Sequence, residues 1–389
     1  MKRLGKPLLA GLLLAAAAIC FSISTFGMHV EEEYGLSLLF KLRGSRPPPA
    51  KVVIINIDDN SGEKPAAPSH FSKWPRTIYA ELVDRLVHYG AKVIVFDVLF
   101  AEEKKQHEDQ EFAEKLRQAG NVILAAELQH KTIDTSAEDA VSVDMEMEQL
   151  LPPIKVLADA ALALAPFPLP KTPVRVSRTW RFKSSCGEIP ILPSTAFQAA
   201  NLEVYSELRR RLSLLIPDSA AHLPPTAELA LSDIGLTETM RRIRCIFLER
   251  PGLAEELITM AGKDFSLAAN KALDNKLSPL IAMYAGPDRS IIDFYGPPFS
   301  ITTISYHDVM GSEEEPSHVE AEIFKGKTVF IGAARNSWSQ QKDGFYTVFS
   351  QTNGLDISGV EIAATIYTNL SENRTIQPLQ IGIMCVFIT

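Results

Sequence analysis

Cysteine is scarce: four residues in a chain of 389 cannot supply a disulfide framework. Cys20 and Cys385 fall in apolar segments, which leaves Cys186 and Cys245 as a pair that can form if the folded region lies outside the cytoplasm. Positive charge is short too. The formal net charge is −8, and no basic stripe with interleaved aromatics appears, so no nucleic-acid partner is expected. The eight histidines are scattered singly rather than at metal-ligand spacing. GxGxxG, GxSxG, HExxH and CxxC are all missing. Gly326-Lys327-Thr328 imitates the end of a phosphate loop, but Ala321 stands where that loop needs glycine, and the triplet precedes a strand. No internal repeat is visible, and nothing identifies a cofactor.

What is present is organised around Lys51 to Glu127. KVVIINIDD, AKVIVFDVLF and NVILAAE are short apolar runs separated by TIYAELVDRLVHYG and QEFAEKLRQAG, whose apolar residues recur every three or four positions. Strand, helix, strand, helix, strand is the pattern of a parallel sheet. The runs are apolar at consecutive positions, as a sheet covered on both faces requires. GKTVFIGAA and the helix VEIAATIYTNL resume the pattern near the carboxyl end, as does SIIDFYGPP, so the sheet draws strands from both ends of the chain.

Between these parts the signals weaken. Lys131 to Leu151 is acidic and shows no strand signal, and Leu164 to Pro173 is proline-dense and extended. VRVSRTWRF alternates, with Val174, Val176, Trp180 and Phe182 on one side and Arg175, Ser177, Thr179 and Arg181 on the other, which predicts a half-exposed strand. The stretch from about 195 to 283 reads as helices inserted on a loop, leaving the sheet undisturbed.

Lys2, Arg3 and Lys6 precede an uncharged run from Leu8 to Phe26, about 19 residues and nearly enough to cross a bilayer core. The flanking charge keeps the amino terminus cytoplasmic. A cleaved signal peptide is the alternative, but the run is long and Thr25-Phe26-Gly27 is a poor cleavage site. A lipoprotein reading of Cys20 is weakened by Ile19 before it. LQIGIMCVFIT at the other end reads as the start of a second transmembrane helix, or as a short apolar tail. The expected organisation is a cytoplasmic tip and anchor at 1–27 and a juxtamembrane helix and linker at 28–50. An extracytoplasmic domain at 51–376 follows, then the opening of a membrane helix at 377–389. The fold class is α/β: a mainly parallel sheet with helices on both faces, plus a helical insertion, preceded by one transmembrane helix.

One chemical constellation survives. Asp58 and Asp59 end the first strand and Asp97 ends the second, so all three face the pole where open α/β sheets place their ligands. Arg76, entering the first helix beside Trp74, is a candidate partner for them. Asp58, Asp59, Trp74, Arg76 and Asp97 are therefore the candidates for a divalent-cation or small-ligand site. The plainer reading, that the aspartates cap helices and pair with arginine, is favoured because no motif fixes a chemistry.

KLRGSRPPPAKVVIINIDD, WPRTIYAELVDRLVHYGAKVIVFDVLF and FAEKLRQAGNVILAAE, followed by IDFYGPP, TISYHDVM, FKGKTVFIGAA and ISGVEIAATIYTNL, together resemble the second type of CHASE domain. The likeness spans roughly Arg43 to Leu379 apart from the middle. It implies an extracytoplasmic sensor of a bacterial cyclase, histidine kinase or serine/threonine kinase. Such a domain would sit at the plasma membrane on the periplasmic or extracellular side, receive a small-molecule or protein stimulus, and pass the change through membrane helices to a cytoplasmic enzyme absent from this chain. A homodimer is expected. The rival readings are an anchored, metal-dependent phosphoester hydrolase using Asp58, Asp59 and Asp97, and a scaffold that senses nothing.

Overall fold

Runs of β-branched residues build the centre of the molecule, because their side chains pack well on a pleated surface. The computed structural model describes residues 5–30, 34–57, 74–134, 144–170, 175–263, 268–311, 317–333, 344–350 and 356–376. β1 (Val52–Asn56), β2 (Val93–Phe96) and β3 (Val122–Asp134) fall where the sequence places them. The strand Thr328–Gly332 lies between β1 and β2 and pairs in parallel with both. Thr303–Ser305 pairs in parallel with β1 and forms the sheet edge. At the other edge β3 divides its partners. Its far half pairs antiparallel with β4 (Asp144–Leu151), and Ile123–Ala126 pairs in parallel with β5 (Ala163–Pro166). The result is a seven-stranded, mainly parallel sheet.

Alternate strand residues serve two separate apolar clusters. Val53, Ile55, Ile94, Phe96, Leu124, Val329 and Ile331 face the crossover helices Arg76–His88 and Gln106–Ala119. Val52, Ile54, Val93, Val95, Ile123 and Phe330 face the opposite layer, which holds the closing helix Gly359–Ser371 and the helices between Leu192 and Ala285. Both faces are thus covered.

Several expectations change. Lys131 to Leu151 contains strand after all, since β3 continues to Asp134 and β4 returns from Asp144. SIIDFYGPP adds nothing to the main sheet. Its strand, Arg289–Ile291, makes a small ribbon with Arg178–Trp180 instead. VRVSRTWRF is not half-exposed: Ser177, Thr179 and Arg181 are buried as well as Val176 and Phe182, because the helical layer covers the second side. Nor is that layer an appendage on a loop. Leu192, Phe197, Ile243, Phe247 and Tyr284 belong to one cluster with the sheet's own Val52 and Val93.

The amino-terminal apolar run forms two helices, Gly5–Ile23 and Thr25–Val30. They part at Ser24, whose hydroxyl donates to the Phe21 carbonyl at 2.6 Å and accepts the Gly27 N–H at 3.0 Å. Lys6 and Pro7 occupy the first turn, so the uncharged length falls below the ~20 residues a bilayer core demands. Among the described residues no helix is long and apolar enough to cross a membrane. The LQIGIMCVFIT segment lies outside the described residues.

Candidate functional site

The parallel register brings the carboxyl ends of β1, β2 and Thr328–Gly332 to one pole. Asp97 sits there, half-buried, its N–H donating to the Ile331 carbonyl at 2.8 Å. A β-carbon placed on Gly359 would lie 3.3 Å from Asp97 Oδ2, which puts this carboxylate against the first residue of the closing helix. Unpaired N–H groups at a helix start favour a negative charge. Asp58 and Asp59 lie outside the described residues.

Arg76 does not turn to Asp97. Its Nε donates to Asp109 Oδ1 at 3.0 Å and its Nη2 to the Glu102 carbonyl at 2.7 Å, and its backbone N–H reaches Glu108 at 3.3 Å. The guanidinium lies 4.7 Å from the Phe100 ring centre. The Glu108 carboxyl is held below its ordinary range, first by the hydrogen bond from Lys105 and also by the Arg76 N–H. Trp74 likewise turns into the core. It is 2% exposed and packs on Tyr306 and Tyr79, with ring centres 4.9 and 5.8 Å away. Asp109 also lines a cavity of about 580 Å³ with Glu103, Lys104, Gln110, Arg117 and Lys155, a wall of both signs suited to a small polar molecule. Cys186 and Cys245 do not pair. The Cys186 thiol lies 3.3 Å from the Glu148 carbonyl, and Cys245 is exposed on the helix Leu236–Glu249.

A second cluster gathers the two ends of the domain. The lead-in helix Leu36–Arg43 buries Leu36 and Phe40, and the Phe40 ring meets Phe294 and Phe349. Arg43 then donates to Asp293 and to the Phe294 carbonyl. Arg46 bridges Asp293 at 2.9 Å and Glu372 at 2.8 Å. Its guanidinium stacks 4.0 Å above the Tyr295 ring, and its N–H donates to the Tyr295 carbonyl at 2.7 Å. Arg374 holds Glu372 at 2.9 Å. The Asn369 side-chain amide accepts the Asp293 N–H at 2.9 Å and donates to the Asp293 carbonyl at 3.1 Å. The Asp293 side chain is only 8% exposed, so the pairing is screened far less than a surface ion pair. Burial and the hydrogen bond to Glu372 push the Tyr295 phenol well above its ordinary pKa.

These residues escaped sequence reasoning because they are far apart: Arg46 and Asp293 are separated by 247 positions. The signal available was that Arg43 and Arg46 lie in KLRGSRPPP, Asp293 and Tyr295 in IDFYGPP, and Asn369 in VEIAATIYTNL, with Glu372 and Arg374 just beyond it. Chemically the cluster is a clamp. It fixes where the chain arrives at the domain against where it leaves.

A doubly covered, mainly parallel sheet, with the segments that enter and leave it tied by partly buried ion pairs, defines a domain of the mixed α/β class. The CHASE2 domain profile matches residues 12–388, nearly the whole chain, and the protein belongs to that family. CHASE2 domains are extracytoplasmic sensor domains, not catalysts. Comparison with curated proteins and with solved structures returns no match.

Proposed function

We propose that this protein is the membrane-anchored input module of a bacterial receptor, which passes a stimulus-dependent change to a cytoplasmic cyclase or kinase. The observation that carries the reading is the clamp at Asp293, where the lead-in helix and the closing helix meet. A stimulus acts only by binding one arrangement of these helices better than another. Because Arg43 and Glu372 flank the domain, any change in their relation is delivered to the segments beyond them. The exposed Leu13, Leu14, Phe21 and Phe26 of the amino-terminal helices support anchoring, as apolar surface that lipid would cover.

The test joins the full chain to a cyclase reporter on its carboxyl side, in cells. Asp293→Ala removes the shared acceptor of Arg43 and Arg46 and should shift resting output several-fold at equal expression. Output identical to the parent chain would overturn the reading.

A further inference from the structure

Asp293 to Ile301 runs as a strap between the arriving segment and the closing helix. On one side Ser45 abuts Gly296, where an added β-carbon would lie 2.8 Å from the serine Oγ, and Arg46 holds Tyr295. On the other side three residues of the closing segment grip it in turn. Glu361 takes one end, Asn369 takes Asp293, and Glu372 accepts the Tyr295 hydroxyl at 2.9 Å. The strap leads into the sheet edge, where the Thr302 carbonyl accepts the Ile54 N–H at 2.9 Å.

The Glu361 end is chemically unlike the other. Its carboxyl is buried, 5% exposed, and accepts three successive amides: Phe299 on Oε2 at 3.0 Å, Ser300 on Oε1 at 3.0 Å and Ile301 on Oε1 at 3.4 Å. Among the described residues no cation pairs with it. Among the described residues, the charged groups on the elements around it include Asp293 on the strap, Arg43 and Arg46 on the arriving segment, Asp97 after β2, and Glu372 and Arg374 beyond the closing helix. None of them sets its proton affinity, which burial raises and the three amides lower. Phe299 meanwhile adopts a left-handed backbone, φ 67°, a conformation a bulky residue keeps only when its surroundings hold it there. A carboxylate buried with no counter-charge among the described residues, holding a strained turn whose residues Phe299, Ser300 and Ile301 line a cavity of about 350 Å³, is a group poised between two states.

We propose that Glu361 is a proton-binding site of this sensor, and that its proton keeps the strap seated between the arriving and departing ends of the chain. The neutral acid retains Oε1 as acceptor for Ser300 and Ile301 and carries no buried charge. Loss of the proton leaves an anion that water stabilises better than the pocket, so the turn Phe299–Ile301 swings out and slackens the strap. Burial moves the Glu361 pKa up from 4.5 to about 7. The seated form therefore binds the proton more tightly than a released, wet carboxylate. Its advantage is present in acid and is lost as pH rises through about 7. The inference rests on the sensor reading and names a stimulus for it.

The experiment compares the full chain with Glu361→Gln, a neutral isostere of the acid, from about pH 5.5 to about pH 8.5. Tm of the parent should fall relative to the variant as pH rises through that window. Amide exchange at Phe299–Ile301 should accelerate with pH in the parent beyond its intrinsic pH dependence, and not in the variant. A difference curve that stays level overturns the proposal. Should the variant fail to fold, infrared difference spectra of the parent decide the matter: a protonated carboxyl band at the acid end, absent at the alkaline end, is required. None of these readings depends on a downstream enzyme. A titrating Glu361 in a chain whose Asp293→Ala reporter output is unchanged would sink the receptor reading while leaving the proton site in place.

Discussion

Arg76 shows what a single residue does in this fold and what its sequence position hides. It sits at the first turn of a crossover helix, near the pole that carries Asp97, which makes a strand-end aspartate its natural partner on paper. Asp109 wins because the next crossover helix packs against the first and presents that carboxylate from inside the layer, 33 positions along the chain. Both side chains are 6% exposed, so removing one leaves the other buried and charged. Arg76→Ala should cost about 3 kcal/mol, the low end for a broken buried pair. The low end is appropriate because Asp109 keeps the Lys104 N–H at 2.9 Å. Urea midpoints read this directly, and a loss below about 1 kcal/mol would return the pair to the surface class. Arg76→Ala combined with Asp109→Ala should cost less than the two losses added, since the second change removes the orphaned charge.

At the scale of elements, legibility followed composition. β1, β2, the start of β3 and Thr328–Gly332 were readable because valine, isoleucine and phenylalanine on consecutive positions mean a strand buried on both faces. β4 was not, because DMEMEQLL places carboxylates at alternate positions and lacks β-branched residues. Its period of two was nonetheless there, and β3 supplies the ladder that makes a strand of it. β5, ALAP, has neither propensity nor length; it forms because β3 leaves Ile123–Ala126 a free edge. Nor could a sequence show that Thr328–Gly332 separates β1 from β2. That insertion sets a tight contact with the closing helix. A β-carbon on Gly332 would lie 2.9 Å from Val360 Cβ, an atom fixed to the helix backbone and unable to swing aside. Gly332→Ala should therefore push the helix off the sheet and cost about 1–3 kcal/mol, as overpacking does. At Gly359 the nearest atoms, Asp97 Oδ2 and Phe345 Cε2, are 3.3 Å away and end side chains. Gly359→Ala should melt higher than Gly332→Ala, and the reverse order would show that the helix start, not the sheet contact, is the rigid part.

For the molecule as a whole, the question is whether the helices between 195 and 283 are a passenger or half of the core. Their apolar residues share one cluster with Val52, Ile54, Val93, Val95 and Ile123, which the crossover helices on the opposite face cannot reach. Polar ties bind the same layer. Arg244, 2% exposed, joins Glu188 at 3.1 Å and Asp288 at 2.6 Å, while Glu203 accepts both Lys92 at the start of β2 and Lys276, at 3.0 and 2.9 Å. At roughly 25 cal/mol per Å² of apolar surface, baring one face of a sheet removes stabilisation comparable with the whole net stability of a domain. Replacing 195–283 by a flexible linker should consequently abolish cooperative unfolding, whereas the complete chain should melt as one unit. Calorimetry distinguishes the cases. A shortened protein that still melts cooperatively near the parent Tm would make the layer a decoration. Loss of the transition would mean that whatever binds the helices is felt by the sheet, and through Phe330 and Tyr367, whose rings lie 5.7 Å apart, by the closing helix that Asp293 clamps.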